Sequence, residues 1–238
     1  MAGIQIDVHP VWLRAEGRWV DAASQMLSDD EVERAKAFRT AGLRERFILA
    51  RSSLRVLLAQ TLSIKAPEIR FAYLPSGKPF LTSPEADITF NVSHTEDLAL
   101  YAVAPSRVLL GVDVEKHCNH GQLEDIATGY FADAEILDLY SYSREQRTSA
   151  FYRCWVRKEA YIKAVGNGLE IPLDSFRVSL GPEAKLLAIR DGDPREWMME
   201  ALSVAVGYEA AVAYRGEAAV VRLHAARSAE HLIATGQA

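Results

Sequence analysis

The most informative segment for the fold is residues 46–62, which read RFILARSSLRVLLAQTL. Its apolar side chains recur at helical spacing and share one face, at Phe47, Leu54, Leu57, Leu58 and Leu62. Directly after it, residues 69–73 (IRFAY) alternate in the manner of a strand, and residues 75–79 (PSGKP) are typical of a turn. The first part of the chain is therefore predicted to be a helix followed by strands.

The same plan returns later in the chain. Sliding the sequence along itself by 107 residues places Phe176-Arg-Val178 on Ile69-Arg-Phe71 and residues 153–169 near the helix 46–62. We therefore expect an internal duplication of a helix plus a three-stranded unit. The predicted fold class is α+β, with an N-terminal half (1–107) and a C-terminal half (108–238), each a mostly antiparallel sheet with a packed helix.

Local patterns predict the other elements. Ser28-Asp-Asp-Glu31 is typical of a capped helix start, and a second long helix is expected over 148–165, stopped by Gly166-Asn-Gly168. Further strands are predicted at 88–92, 98–104, 108–115, 176–179, 201–206 and 209–214.

Composition excludes several classes of protein. The chain has 238 residues, of which 49% are hydrophobic and 25% charged, as in an ordinary globular protein. Its net charge of −5 gives no reason to expect binding to nucleic acid or to a membrane surface. The apolar run 98–104 is far shorter than the roughly 20 residues of a membrane span. With no leader at the start and two cysteines, Cys118 and Cys154, expected as free thiols, the predicted compartment is the cytoplasm.

The first candidate site is the strand Gly111-Val-Asp113-Val-Glu115. The strand period of two sends both carboxylates to one face, where they repel unless a cation lies between them. Oxygen ligands of this kind suit Mg²⁺. A half-exposed strand with solvated acids is the competing interpretation.

The second candidate site lies on the helix 148–165, around Glu159. One turn after Trp155, Glu159 borders the apolar stripe, so its carboxylate is expected to be partly buried. Lys158 and Lys163 flank it along the chain. The alternative is a surface ion pair between Glu159 and Lys163, four residues apart, which contributes about 0.3–0.5 kcal/mol.

Polar residues with no strong signal of their own complete the candidates. Ser93 and His94 are expected on an exposed connection after a strand, and Lys78 in the Gly-Lys-Pro turn; all three suit a phosphate ligand. A hydrolase that uses Ser93 and His94 is an alternative, but no Gly-x-Ser-x-Gly elbow is present. A zinc site at His117-Cys118-Asn-His120 is rejected because no second ligand pair follows at suitable spacing.

In combination these motifs are far more specific than they are singly. The ordered set Gly-Lys-Pro, Asn-Val-Ser-His, Gly-Val-Asp-Val-Glu and Trp-x-x-Lys-Glu-Ala-x-x-Lys resembles the Sfp-type 4′-phosphopantetheinyl transferases, over about residues 28–178. The resemblance implies a monomer of two α+β halves related by a pseudo-twofold axis, with the active site in the cleft between them. It also implies transfer of the phosphopantetheine arm of coenzyme A to a serine of an apo acyl or peptidyl carrier protein, which releases adenosine 3′,5′-bisphosphate.

The resemblance also assigns roles to individual residues. Asp113, Glu115 and Glu159 match the metal site for Mg²⁺, or Mn²⁺. Glu159 is the expected base, directly or through a water, with Glu115 as its competitor, and Lys163 stabilises the departing phosphate. The residues expected to bind coenzyme A fall into two groups. Arg46, Lys78, Ser93 and His94 match contacts to the adenosine 3′-phosphate, and Lys158 and Lys163 match lysines on the pyrophosphate side. Acids fill most of the family's basic stretch near the first helix, and Arg34 is the one candidate left there.

The surface that contacts the carrier protein is predicted from its place along the chain, after the strand that carries Asp113 and Glu115. The carrier surface is expected within residues 117–131, through apolar contacts of Leu123, Tyr130 and Phe131. Replacing Phe131 with Ala is expected to raise the Michaelis constant for the carrier. A module that binds coenzyme A or a carrier without transfer is the alternative function, and the three intact acids argue against it.

Overall fold

The computed structural model describes residues 3–118, 121–166, 171–216 and 218–236. Its elements follow the same order twice along the chain. The first half contains β1 (Ile4–Trp12), α1 (Gly17–Ser24), α2 (Asp29–Lys36), α3 (Ala41–Leu62), β2 (Arg70–Tyr73), β3 (Pro79–Ser83), β4 (Ile88–Thr95) and β5 (Leu98–Pro105). The second contains β6 (Leu109–Lys116), α4 (Leu123–Tyr130), α5 (Asp133–Ser141), α6 (Arg144–Val165), β7 (Phe176–Val178), β8 (Leu186–Ile189), β9 (Trp197–Ala201) and β10 (Tyr208–Arg215). Three elements follow the repeat: β11 (Ala219–Leu223), β12 (Arg227–Ser228) and α7 (Ala229–Gly236).

Sheet topology is repeated as well. Strand order is β1-β5-β4 in the first half and β6-β10-β9 in the second, with antiparallel neighbours throughout, and each half adds a hairpin, β2-β3 or β7-β8. The α+β class with mostly antiparallel sheets is confirmed. Each half also buries its long helix, α3 or α6, against its own sheet.

The two sheets share one core. Along β6, Leu110, Val112 and Val114 point to the space between the sheets, where they meet Ile6 and Val8 of β1. The strand period sends Gly111 and Asp113 to the opposite face, under α6. Separate helix-facing cores flank this central one, so the layers run helix, sheet, sheet, helix. The functional face of β6 therefore lies between a sheet and a helix.

The C-terminal elements depart from the predicted halves. Residues 108–238 were expected to form the second half, but β11 and β12 pair in parallel with β1, and α7 packs on α3. β5 occupies one edge of β1, and β11 and β12 are the strands that pair with its other edge in the part of the chain that the structure describes. The strands β11 and β12 therefore extend the first sheet, and α7 joins the helices that pack on it.

Several predicted element limits change. The capped start of α2 is confirmed by a hydrogen bond from the Ser28 N–H to Glu31, 3.0 Å long. Both long helices begin earlier than predicted, and α6 ends at Gly166, whose φ of 86° suits glycine. The strand predicted at 201–206 is wrong: β9 ends at Ala201. His120 and Gly168, named in the predicted motifs, lie outside the described residues.

Candidate active site

The site begins where the edges of β4 and β6 meet. The two strands lie side by side, yet they are not paired by a backbone ladder. A side chain replaces one ladder bond: the Val112 N–H donates to Oδ1 of Asn91, 2.9 Å away and buried. Side chains thus satisfy main-chain groups at this edge, and a cleft lined by Asn91 and Val92 of β4 and by Lys163 of the helix 144–165 lies beside it.

Helix α6 covers the acidic face of β6 at very short range. A Cβ added to Gly111 would lie 2.0 Å from the Ala160 carbonyl oxygen and 2.4 Å from the Ala164 nitrogen. Glycine at position 111 therefore allows the helix to approach the strand. This approach brings Glu159 and Lys163 of α6 over the carboxylates of β6.

Asp113, Ser93 and Lys163 form a buried polar network. The Lys163 ammonium donates to Asp113 Oδ1 at 2.6 Å and to Ser93 Oγ at 2.9 Å, and the Ser93 hydroxyl donates to the same Asp113 oxygen at 2.7 Å. Asp113 is only 2% exposed. Its other oxygen, Oδ2, is buried and accepts no hydrogen bond from any residue that the structure describes. One acceptor of the network is therefore left without a donor or cation.

Burial and the nearby carboxylates disfavour the ionised forms of the other two acids, Glu115 and Glu159. Burial, together with the charge of Asp113, raises the pKa of Glu115 to about 7, and Glu159 adds to the shift. Burial and the charge of Asp113 also raise the pKa of Glu159. Lys163 opposes both shifts, but one ammonium does not compensate three carboxylates. The cluster thus favours the approach of a further cation.

These residues suit a hard divalent cation, although they do not yet enclose one. Within the described ranges, no three His, Cys, Asp or Glu side chains already converge on a single metal position. The unpartnered Asp113 Oδ2 and the raised pKa values of Glu115 and Glu159 are nevertheless what an all-carboxylate site is expected to show without its ion. Asp113, Glu115 and Glu159 therefore fit Mg²⁺ by the chemistry of their oxygen donors.

A groove of three adjoining cavities leads to this cluster. The first, about 300 Å³, is lined by Glu159 and Lys163 and reaches Gly77, Pro79 and Val92. These last three residues also line the second, about 240 Å³, which contains Ser93, His94, Arg34 and Arg51. His94 continues into the third, about 280 Å³, which Arg46 lines. Three arginines therefore line the two cavities farther from Asp113, Glu115 and Glu159, together with one carboxylate, Glu96.

Two of the predicted residues stand differently along this groove. Ser93 and His94 are part of β4 rather than of an exposed connection, and Ser93 is buried. His94 itself stays exposed. Partial desolvation by neighbouring atoms, and then the positive charges of Lys163 and Arg46, lower the pKa of His94, so its imidazole is neutral at pH 7. It can therefore donate one hydrogen bond to an anion without carrying a charge.

Lys158 is not part of the site. Its side chain is completely buried, and its ammonium contacts Glu135 at 2.7 Å and the carbonyl oxygens of Leu173 and Phe176 at 2.7 and 2.8 Å. The prediction that Lys158 contacts the pyrophosphate is wrong, because all of these partners lie on the inner side of α6. Lys163, on the face of Glu159, remains in the site.

Lys78 and Phe131 also differ from expectation. The Lys78 ammonium donates to two backbone carbonyls, Lys163 O at 2.6 Å and Leu110 O at 3.2 Å. It does not line the two cavities that contain the arginines. Phe131, expected on the carrier surface, is 3% exposed and stacks on Phe151. Its neighbour Tyr130 is 52% exposed. The apolar contact surface is thus smaller than the sequence suggested.

Arg51 is a site residue that sequence reasoning missed. It lines the cavity of about 240 Å³, packs over the rings of Phe71 and Tyr73, and has a buried Nη1 that donates to none of the described residues. Its position four residues after Phe47 places it on the apolar stripe of α3. A charged residue on such a stripe was the available signal.

Comparisons with known proteins show which family this chain belongs to. A family model described as the 4′-phosphopantetheinyl transferase superfamily matches residues 109–213, and one for the N-terminal part of a 4′-phosphopantetheinyl transferase matches residues 11–106. A 4′-phosphopantetheinyl transferase of Bacillus subtilis is 31% identical over 160 residues, 67% of this chain and 69% of that protein. This chain belongs to the 4′-phosphopantetheinyl transferase family.

Other relatives match over different lengths. The 4′-phosphopantetheinyl transferase HetI of a Nostoc species is 37% identical over 158 residues, which is 66% of each chain. The chain therefore spans slightly less than two thirds of HetI. The transferase Sfp of Bacillus subtilis is 29% identical over 187 residues, covering 78% of this chain and 81% of Sfp. The resemblance found in the sequence is confirmed for the family.

No described helix has both the length and the apolar character of a membrane span.

Proposed function

We propose that this protein transfers the 4′-phosphopantetheine arm of coenzyme A to a serine of an apo acyl or peptidyl carrier protein. The observation that carries the proposal is the acidic cluster of Asp113, Glu115 and Glu159, with an unpartnered Asp113 oxygen, at one end of a groove lined by cations. Family membership supports the same reaction.

The donor lies along the groove in this proposal. Arg46 and His94 contact the adenosine 3′-phosphate, with Arg34 and Arg51 supplying further positive charge in the neighbouring cavity. The pyrophosphate lies at the acidic cluster, beside Lys163. Asp113, Glu115 and Glu159 would hold Mg²⁺, or Mn²⁺, and such an ion would supply positive charge against the negative charge of the pyrophosphate.

The chemical step is a displacement at phosphorus. The carrier serine oxygen forms a bond to the phosphorus on the pantetheine side, the bond from that phosphorus to the bridging oxygen breaks, and adenosine 3′,5′-bisphosphate leaves. We assign the serine proton to Glu159, because its carboxylate lines the groove beside Lys163. Glu115 is the competing base. Lys163 stabilises charge on the departing phosphate.

The acceptor is a carrier domain whose serine reaches the acidic end of the groove. Tyr130, exposed at the end of α4, is the aromatic residue that we place in contact with it. We place the enzyme in the cytoplasm as a monomer; its two cysteines, Cys118 and Cys154, are free, as suits a reducing compartment.

Intact-mass spectrometry of apo carrier proteins incubated with this protein, coenzyme A and Mg²⁺ tests the proposal. We expect a carrier to gain one phosphopantetheine arm, and a chelator to prevent the gain. No gain on any carrier of a broad panel, with coenzyme A binding retained in a titration, would favour the binding-module alternative. Release of free products without carrier labelling would favour a hydrolase.

A further inference from the structure

The tip of the β2-β3 hairpin grips the last turn of α6. Lys78 donates to Lys163 O at 2.6 Å, and the Ser76 hydroxyl donates to Gly166 O at 3.1 Å. Lys78 also reaches Leu110 O of β6 at 3.2 Å. One short hairpin from the first half thus contacts the two elements of the second half that carry the acidic cluster.

These contacts satisfy groups that would otherwise lack partners. The last carbonyls of a helix have no partner within it, and the helix dipole makes them favourable neighbours for a cation. Leu110 O lies on the edge of β6 that faces β4, the same edge at which Asn91 accepts from Val112 N. Lys78 therefore joins the end of α6 to the open edge of β6.

The position of Lys78 argues against a phosphate contact. The cations Arg34, Arg51 and Arg46 line the two cavities that contain His94, and Lys78 lines neither of them. It lines the cavity of Glu159 and Lys163, where its ammonium is partly buried on backbone oxygens. Burial lowers the pKa of Lys78, as expected for an ammonium withdrawn from water.

We propose that Lys78 is a positioning residue, whose ammonium holds the C-terminal turn of α6 on β6 and thereby sets Lys163 against Asp113, rather than a ligand of the adenosine 3′-phosphate. The inference rests on the proposed transferase function. It predicts that Lys78 acts on the chemical step irrespective of whether the donor carries a 3′-phosphate.

Two donors separate the roles: coenzyme A and 3′-dephospho-coenzyme A, which has the same pyrophosphate. For Lys78→Met we expect kcat to fall on the order of 10²-fold with both donors, because small displacements of reacting groups are costly. The ratio of kcat/KM for the two donors should stay that of the wild type. Lys78→Arg, which keeps donors for the carbonyls, should recover most of the lost kcat.

Arg46→Met is the matched control, since Arg46 is assigned to the 3′-phosphate. It should raise KM for coenzyme A much more than KM for the dephospho donor, and so change the ratio of kcat/KM for the two donors. If Lys78→Met instead behaves as Arg46→Met is expected to, Lys78 is a phosphate ligand and the inference is overturned. Absence of transfer by the wild type would instead overturn the proposed function.

Ser76→Ala guards against a Lys78→Met protein that does not fold. It removes one neutral bond to the same turn, so we expect a smaller fall in kcat, about 2- to 5-fold, equal for the two donors. Thermal melting of each variant reports folding separately. An effect of Ser76→Ala confined to coenzyme A would contradict the positioning role.

Discussion

At the scale of single residues, the proposed chemistry depends on Asp113, whose negative charge is balanced by few neighbouring groups. Its buried carboxylate has two close donors, Ser93 and Lys163, and both bind the same oxygen. Each donor is thus a separate point at which the site can be weakened without removing the acids. Lys158 has a different role, because its buried ammonium pairs with Glu135 inside the protein and stabilises the fold.

Replacing Ser93 with Ala tests the donor role of its hydroxyl. The Lys163–Asp113 ion pair remains, so the loss should be that of one hydrogen bond to a charged group, about 1.5 kcal/mol, or roughly 10-fold in kcat/KM for coenzyme A. Steady-state transfer kinetics at saturating Mg²⁺ provide the measurement. A protein inactive at every substrate concentration would instead favour Ser93 as a nucleophile.

Replacing Lys158 with Met tests its role in folding. The change leaves Glu135 buried without its cation, which should cost about 3–5 kcal/mol in the free energy of unfolding. The matched control is Lys185→Met, which removes a surface pair with Glu183 and should cost less than about 1 kcal/mol. Urea unfolding compares the two; equal losses would contradict the structural role of Lys158.

At the scale of elements, the close packing of α6 on β6 builds the site. Gly111 is the point of closest approach, and the helix beyond it carries Glu159 and Lys163. The position of the helix therefore sets how closely Glu159 and Lys163 approach the carboxylates of β6.

Gly111→Ala should displace α6. The new methyl group would overlap the Ala160 carbonyl, so we expect a loss of about 1–3 kcal/mol in unfolding free energy and loss of transfer activity. Gly129→Ala in α4 is the control, because a Cβ there meets no atom within 4 Å. It should keep or slightly raise stability. Urea unfolding and the transfer assay report both effects, and an active, stable Gly111→Ala protein would rule out the close approach.

Two adjacent aromatic residues at the end of α4 have different expected roles: Phe131 packs in the core, and Tyr130 contacts the partner. Phe131→Ala should cost about 3–5 kcal/mol of stability, because its ring is buried against Phe151. Tyr130→Ala, at an exposed ring, should leave stability nearly unchanged and raise KM for the carrier. Measuring unfolding and carrier kinetics for both variants tests this division, which a stable Phe131→Ala protein with an altered carrier KM would contradict.

At the scale of the whole molecule, the two halves share a buried clamp. In the second half, Glu135 near the start of α5 binds Lys158 of α6, which contacts two carbonyls. In the first, Glu31 near the start of α2 binds Arg55 of α3 at 2.8 Å, and Arg55 donates to the carbonyls of Ala66 and Ile69. The repeated device supports the internal duplication.

The halves diverged at the site. In the repeated order β1 corresponds to β6, and its helix-facing residues at the matching register are His9 and Val11 where β6 has Asp113 and Glu115. The outer edge of β1 is occupied by β11, whereas that of β6 faces the cleft. One half therefore supplies the acids, and the other supplies β4 and the cations of α3.

The C-terminal segment gives the molecule an acid-sensitive contact. His9 stacks on His224, with ring centroids 4.1 Å apart, and lies 3.4 Å from Arg227. Burial, with the charges of His224 and Arg227, lowers the pKa of His9 to about 4, whereas Asp7 opposes the shift. Since the unfolded value is about 6.5, this contribution to stability is present above pH 6.5 and is lost as the pH falls towards 4.

His9→Phe tests that contact, because it keeps a ring on His224 and removes the titration. Between pH 6.5 and 4 its unfolding free energy should fall less steeply than that of the wild type, as measured by urea unfolding. His231→Gln, at an exposed position of α7, should follow the wild-type slope. An unchanged slope in His9→Phe would place the acid sensitivity elsewhere.

Features that depend on local periodicity and on residue chemistry could be predicted from the sequence alone. Helical spacing predicted α3 and α6, alternation put Asp113 and Glu115 on one face, and the motif set gave the family. Which lysines and arginines lie in the site could be learned from the tertiary structure alone. Lys158 and Lys163 are five residues apart on one helix, yet one pairs with Glu135 of α5 and the other with Asp113 of β6. Such pairings join distant parts of the chain, and no local pattern records which partner the packing of sheets and helices brings close.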